Sequence, residues 1–182
     1  MEALNRALAL KKGFSSSPLP AERGEISPCI FLIHHSAARK ATEIISDYIV
    51  QRGQVDIYLD LSAPLDISAP DKPFLQIFTE GLEWSSHIMI LSPPDSFPQQ
   101  ALFLECMQNF PLPVSLLMLK DHASVPAVPH LEILGGIKSL NEYLMRISPE
   151  NNTIIFNNPD YDGLLAHTAP RHPLDAYLNW RN

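Results

Sequence analysis

A chain of 182 residues with 13 Lys and Arg against 20 Asp and Glu carries a formal net charge of −7 at neutral pH. That balance argues against a nucleic-acid backbone as the main partner, because phosphate binding needs a Lys- and Arg-rich face. The length suits one domain with extensions, and two cysteines, Cys29 and Cys106, cannot make a disulfide framework.

No apolar run approaches the length needed to cross a bilayer, and the amino terminus lacks the h-region and cleavage site of a signal peptide, so no membrane partner and a cytoplasmic location are expected. Residues 1–12 space Leu4, Ala7, Leu8 and Lys11 at helical intervals, and Gly13 stops the pattern. Such a short amphipathic stripe either contacts a partner or packs on its own domain. Ser15-Ser16-Ser17-Pro18 then reads as linker, so residues 1–27 form an N-terminal helix and linker ahead of the domain.

The domain proper spans residues 28–148. Residues 30–33 are a continuous apolar run, as expected of a strand covered on both faces. Residues 37–52 place Ala41, Ile44, Ile45, Tyr48 and Ile49 on one helical stripe, and Gly53 closes it. A second strand over 55–59 ends at Asp60 and opens a long loop with Pro64, Pro70 and Pro73, in which Asp66, Asp71 and Lys72 are polar. Helical spacing returns over 74–84, a third strand covers 88–91, and Ser92-Pro93-Pro94 breaks it.

A helix is expected over 99–109 and a fourth strand over 114–119; residues 131–137 hold a fifth strand bounded by Gly135-Gly136, followed by a helix over 140–147. The tail, 149–182, has one strand-like run over 153–156 and too few apolar residues for a core of its own, so it is expected to pack on the domain. Strands alternating with helices in this way predict an α/β fold: a flavodoxin-like, doubly wound, five-stranded parallel sheet in the order 2-1-3-4-5, with the functional site beyond the carboxyl ends of the strands. Ser36, Asp60 and Ser92 fall at those ends.

Three short motifs stand at the strand ends: Ile33-His34-His35-Ser36, Tyr58-Leu59-Asp60 and Leu91-Ser92-Pro93. In order and spacing they resemble a bacterial Toll/interleukin-1 receptor (TIR) domain, over roughly residues 28–148. The resemblance implies an enzyme that breaks the nicotinamide–ribose bond of NAD, by hydrolysis or by cyclisation to an ADP-ribose signal, in bacterial anti-phage defence. Glu105 occupies the position of the family's catalytic glutamate. Ser36, His35, Arg39, Asp60, Asp66 and Ser92 are the residues implied to contact substrate. NAD would be a substrate, with no cofactor, and self-association or a second TIR or effector protein would be a partner.

The chemistry asks little of the protein. Nicotinamide leaves from NAD as a neutral group without an acid, and the developing oxocarbenium ion needs one carboxylate and an oriented ribose. Against this, most helical glutamates are solvated surface groups, and Leu102, Phe103, Leu104 and Cys106 surround Glu105 in sequence. Ala101 stands where the family carries a tryptophan, which favours the alternative of a non-catalytic TIR module that works by TIR–TIR binding.

A nucleoside deoxyribosyltransferase-like enzyme would require aromatic stacking, for which the chain offers only scattered Phe and Trp. No metal is expected: His34 and His35 point to opposite faces of a strand, and the other histidines lack zinc-motif spacing. There is no GxGxxG or Walker lysine motif.

Overall fold

Alternating apolar runs and amphipathic helices must bury one stripe per helix and both faces of each strand, and the chain does so by winding helices onto either side of one sheet. The computed structural model describes residues 4–11, 28–62, 72–92, 112–120, 131–148 and 172–179. In chain order these hold α1 (Arg6–Lys11), β1 (Cys29–His34), a 3-10 turn (Ser36–Ala38), α2 (Arg39–Gln51), β2 (Asp56–Tyr58), α3 (Lys72–Trp84), β3 (His87–Ser92), β4 (Val114–Met118), β5 (Glu132–Leu134) and α4 (Ile137–Ile147). The expected helix over 99–109 and the strand-like run over 153–156 lie outside the described residues.

The five strands are parallel throughout, in the order β2-β1-β3-β4-β5. The flavodoxin-like sheet expected from the sequence is borne out, with β1 interior and flanked by β2 and β3. Register runs Cys29 opposite Asp56 on one side and Ile30 opposite His87 through His34 opposite Leu91 on the other. Strand parity then sorts the core into two layers. Ile30, Leu32, Ile57, Leu59, Met89 and Leu91 meet Ile45 and Ile49 of α2 and Leu140 and Leu144 of α4. Phe31, Ile33, Tyr58, Ile88 and Ile90 meet Ala7 of α1 and Ile77, Phe78 and Leu82 of α3.

Two glycines mark where backbones must come close. A Cβ at Gly81 would lie 2.6 Å from the Phe31 ring, so α3 can seat on that ring only without a side chain there. At Gly53 a Cβ would lie 2.7 Å from the Ile49 carbonyl oxygen. Gly53 ends α2 as expected, its N–H and that of Arg52 both reaching the Tyr48 carbonyl, but the left-handed residue is the next one, Gln54, with φ of 49°. Helix α4 begins three residues earlier than its apolar spacing suggested, because the Ser139 hydroxyl accepts the Gly136 N–H at 3.0 Å and caps the new turn.

Residues 172–179 close one face. Leu174 and Leu178 are fully buried, Lys120 N–H donates to the Tyr177 carbonyl at 2.7 Å, and Ile137 N–H donates to that of Asn179 at 2.9 Å. On the other side, residues 4–11 run along the outer edge of β2.

Candidate functional site

Strand order reverses between β1 and β3, the place where doubly wound sheets open a crevice beyond their carboxyl ends. The last rung there pairs His34 with Leu91. Past it, β1 turns through His35 and Ser36 into α2, while β3 ends at Ser92, whose backbone pairs with Met118 of β4.

His35 shapes this turn. Its backbone is extended, and its Nδ1 accepts the Ala37 N–H at 3.2 Å, so the neutral ring carries its proton on Nε2. Ser36 and Arg39 are exposed beside it. The first turn of α2 is unusual in its charges: Arg39 and Lys40 open it and no acidic residue is present, while the 3-10 turn before it runs straight into the helix and its Ser36 carbonyl takes the Arg39 N–H. Arg39 approaches Glu43 only to 3.8 Å, an exposed pair of little energetic consequence. Arg39 and Lys40 make the mouth of β1 electropositive, a setting suited to an anion.

His34, the residue before, is buried at 2% exposure. Its Nδ1 lies 3.2 Å from the His35 carbonyl oxygen. A carbonyl only accepts, so Nδ1 holds the proton, and among the described residues the buried Nε2 has no hydrogen-bond partner. Burial pulls the ring's pKa below the usual histidine value, assisted by Arg39, while the carbonyls of His35 and Asp60 and the Asp60 charge oppose it.

Asp60 lies two residues past the end of β2, and its carboxylate is already engaged. Oδ2 takes the Lys11 ammonium at 2.6 Å, and Oδ1 takes the Ser62 N–H at 3.0 Å and hydroxyl at 2.6 Å. Burial alone would raise its pKa; the bonds from Lys11 and Ser62 outweigh that and hold it low. The structure thus brings His35, Ser36 and Arg39 together at the mouth of β1, puts the Ser92 backbone at the end of β3, and ties Asp60 to α1. Glu105 and Asp66 lie outside the described residues.

Sequence reasoning missed a second polar cluster. A cleft of about 390 Å³ between α1, β2 and α3 is lined by Ala7, Lys11, Tyr58, Asp60, Gln76 and Glu80, among others. Tyr58 Oη and Gln76 Nε2 each donate to the Glu80 carboxylate at 2.9 Å. Burial, then the Glu80 bond and charge, push the Tyr58 phenol well above its ordinary value, so it is a fixed donor at any physiological pH. The i, i+2 spacing of Tyr58 and Asp60 was a usable signal, since alternate strand residues share a face.

Among the described residues no group of three or more His, Cys, Asp or Glu side chains is placed to hold a metal ion, and no helix is long and apolar enough to cross a membrane. Comparison of the chain with protein-family models, with curated proteins and with solved structures found no match.

Proposed function

We propose that the chain is an NAD-cleaving enzyme of the TIR type, acting in bacterial anti-phage defence, with substrate in the crevice beyond β1 and β3. The observation that carries this reading is the β1–α2 turn. It sits at the switch point of a 2-1-3-4-5 sheet and presents Arg39 and Lys40 with no acidic residue in the same turn. Those groups suit the pyrophosphate of a dinucleotide. His35 and Ser36 supply hydrogen-bonding groups beside them, and Ser92 stands at the end of the adjacent strand.

In the proposed reaction the bond between ribose C1′ and the nicotinamide nitrogen breaks, and nicotinamide departs with the electron pair. Water, or an internal nucleophile of the ADP-ribose, then bonds to C1′ and loses its proton to solvent. Glu105 is proposed to hold the ribose and stabilise the oxocarbenium charge. The test is incubation of the purified protein with NAD and analysis of products by mass. Free nicotinamide is expected, with Glu105→Gln lowering turnover by about two orders of magnitude. Equal turnover in wild type and mutant removes Glu105 from the mechanism.

A second reading, a TIR module acting by protein binding, draws on Asp60. Its carboxylate is occupied by Lys11 and Ser62 and offers substrate little, while it fixes the root of the loop that follows β2. Ala101, in place of the family's tryptophan, favours the same reading. Absence of nicotinamide release together with concentration-dependent self-association would favour it.

A further inference from the structure

A carboxylate drawn partly out of water favours a cation beside it, and a concave wall that holds one without its counter-charge attracts that charge from solution. The cleft between α1, β2 and α3 is such a place. We propose that it binds a small organic cation, a primary ammonium or guanidinium group carried on a short apolar body.

Ala7 of α1 and Ile77 of α3 belong to the same apolar layer as Tyr58, and they give the cleft an apolar wall. Lys11, Asp60, Gln76 and Glu80 stand around it. The volume, about 390 Å³, lies at the small end of the range of ligand pockets. Asp60 and Ser62, which follow the end of β2, line it too, so the cleft opens at the carboxyl end of that strand, the end at which open α/β sheets take their ligands.

The charges in this lining do not balance. The Asp60 side chain is 7% exposed, and the Lys11 ammonium meets it at 2.6 Å. Glu80 receives neutral donors alone, Tyr58 Oη on one oxygen and Gln76 Nε2 on the other, each at 2.9 Å. Among the described residues no cation comes within ion-pair distance of Glu80. One ammonium against two carboxylates leaves one negative charge unopposed, and it belongs to Glu80.

The two neutral donors fix that carboxylate without saturating it, since a carboxylate offers about four lone-pair sites. The Ser62 hydroxyl gives its proton to Asp60 and keeps its own lone pairs as acceptors. Unopposed negative charge, spare acceptors and an apolar wall together suit a group rich in N–H donors on a hydrocarbon body. A hard metal ion fits poorly, because Ca²⁺ and Mg²⁺ take about six or more oxygen ligands and the described residues offer no such cluster. An anion would meet the Glu80 charge. The site is separate from the β1–α2 turn, and its ligand does not depend on the reaction proposed there.

The experiment titrates the isotope-labelled full-length protein with tyramine and follows its backbone amides by NMR. Tyrosol, which carries a hydroxyl in place of the ammonium, is the neutral control. Tyramine should shift the amides of Tyr58, Ile77 and Glu80 and bind about fivefold or more tightly than tyrosol, because Glu80 is half-buried and its pairing exceeds that of an exposed ion pair. Gln76→Arg puts a guanidinium at an exposed helix position one turn before Glu80, where it should pair with that carboxylate and reduce tyramine to the affinity of tyrosol. Glu80→Gln, which keeps an acceptor for Tyr58, should do the same, so a folding defect in either variant leaves the other as the test. Absence of shifts at Glu80, or equal affinity of the two ligands for wild type, overturns the proposal. So does tyramine binding that the folded variants leave unchanged. Shifts at the exposed Asp47 of α2 as large as those at Glu80 would show general attraction to an acidic chain and overturn it as well.

Discussion

Gly81→Ala separates two opposite expectations by sign. In a helix interior, replacing Gly by Ala stabilises by about 1 kcal/mol, because Gly has more backbone freedom to lose on folding. Here the added Cβ would lie 2.6 to 2.7 Å from three carbons of the Phe31 ring, so helix and ring must part by about 1 Å to restore ordinary contact. The ring cannot yield freely: it is 4% exposed, Tyr58 meets it edge-on at 5.6 Å, and Phe78 lies at 5.8 Å. Overpacking of this kind costs about 2–3 kcal/mol, leaving a net loss of about 1–2 kcal/mol and a melting temperature lower by roughly 2–8 °C. Thermal and urea unfolding of wild type, Gly81→Ala, Phe31→Leu and the double mutant measure it. In the Phe31→Leu background the alanine should become neutral or stabilising. A rise in melting temperature from Gly81→Ala alone, with Phe31 intact, would refute the packing argument.

Two further outcomes follow from the same reasoning. The folded-state pKa values of His34, His87 and His172 are lowered chiefly by burial, so the unfolded chain binds more protons in mild acid. Stability should hold above pH of about 6.5 and fall as pH drops below it, by up to about 1.4 kcal/mol per pH unit for each histidine involved; a flat urea midpoint between pH 7 and 5 would contradict this. Tyr58→Phe deletes a bond to the Glu80 carboxylate at a partly buried site and should cost about 1–2 kcal/mol in chemical denaturation, a loss that Glu80→Gln in the same background should reduce.

The sheet was legible because its signals are local. The apolar run ahead of His34, the stripe of Ala41, Ile45 and Ile49, and the run at Ile88 to Leu91 each report a period of two or of 3.6, and winding rules then leave one plausible order. The site was legible only where a strand end identifies it, as at His35 and Ser36. Contacts that depend on tertiary approach were not. Asn5 reaches Leu59 and Arg6 reaches Asp56 across some fifty residues of sequence, and nothing in a short polar and basic helix says which edge it covers. Strand β1 runs one residue past its apolar signal because His34, a polar type, is buried as deeply as Ile33 beside it. Gln54 adopts a left-handed backbone next to a glycine that local rules would have chosen for it.

Asp60 is where these separate features meet. Its carboxylate faces α1 and takes Lys11, its Oδ1 fixes Ser62 at the start of the following loop, and its backbone carbonyl bears on His34 at the end of β1. A carboxylate held by an ammonium and two further donors is anchored at one end by a side chain that is itself 57% exposed. One residue at the end of the β2 segment thus touches α1, the start of the following connection and the end of β1.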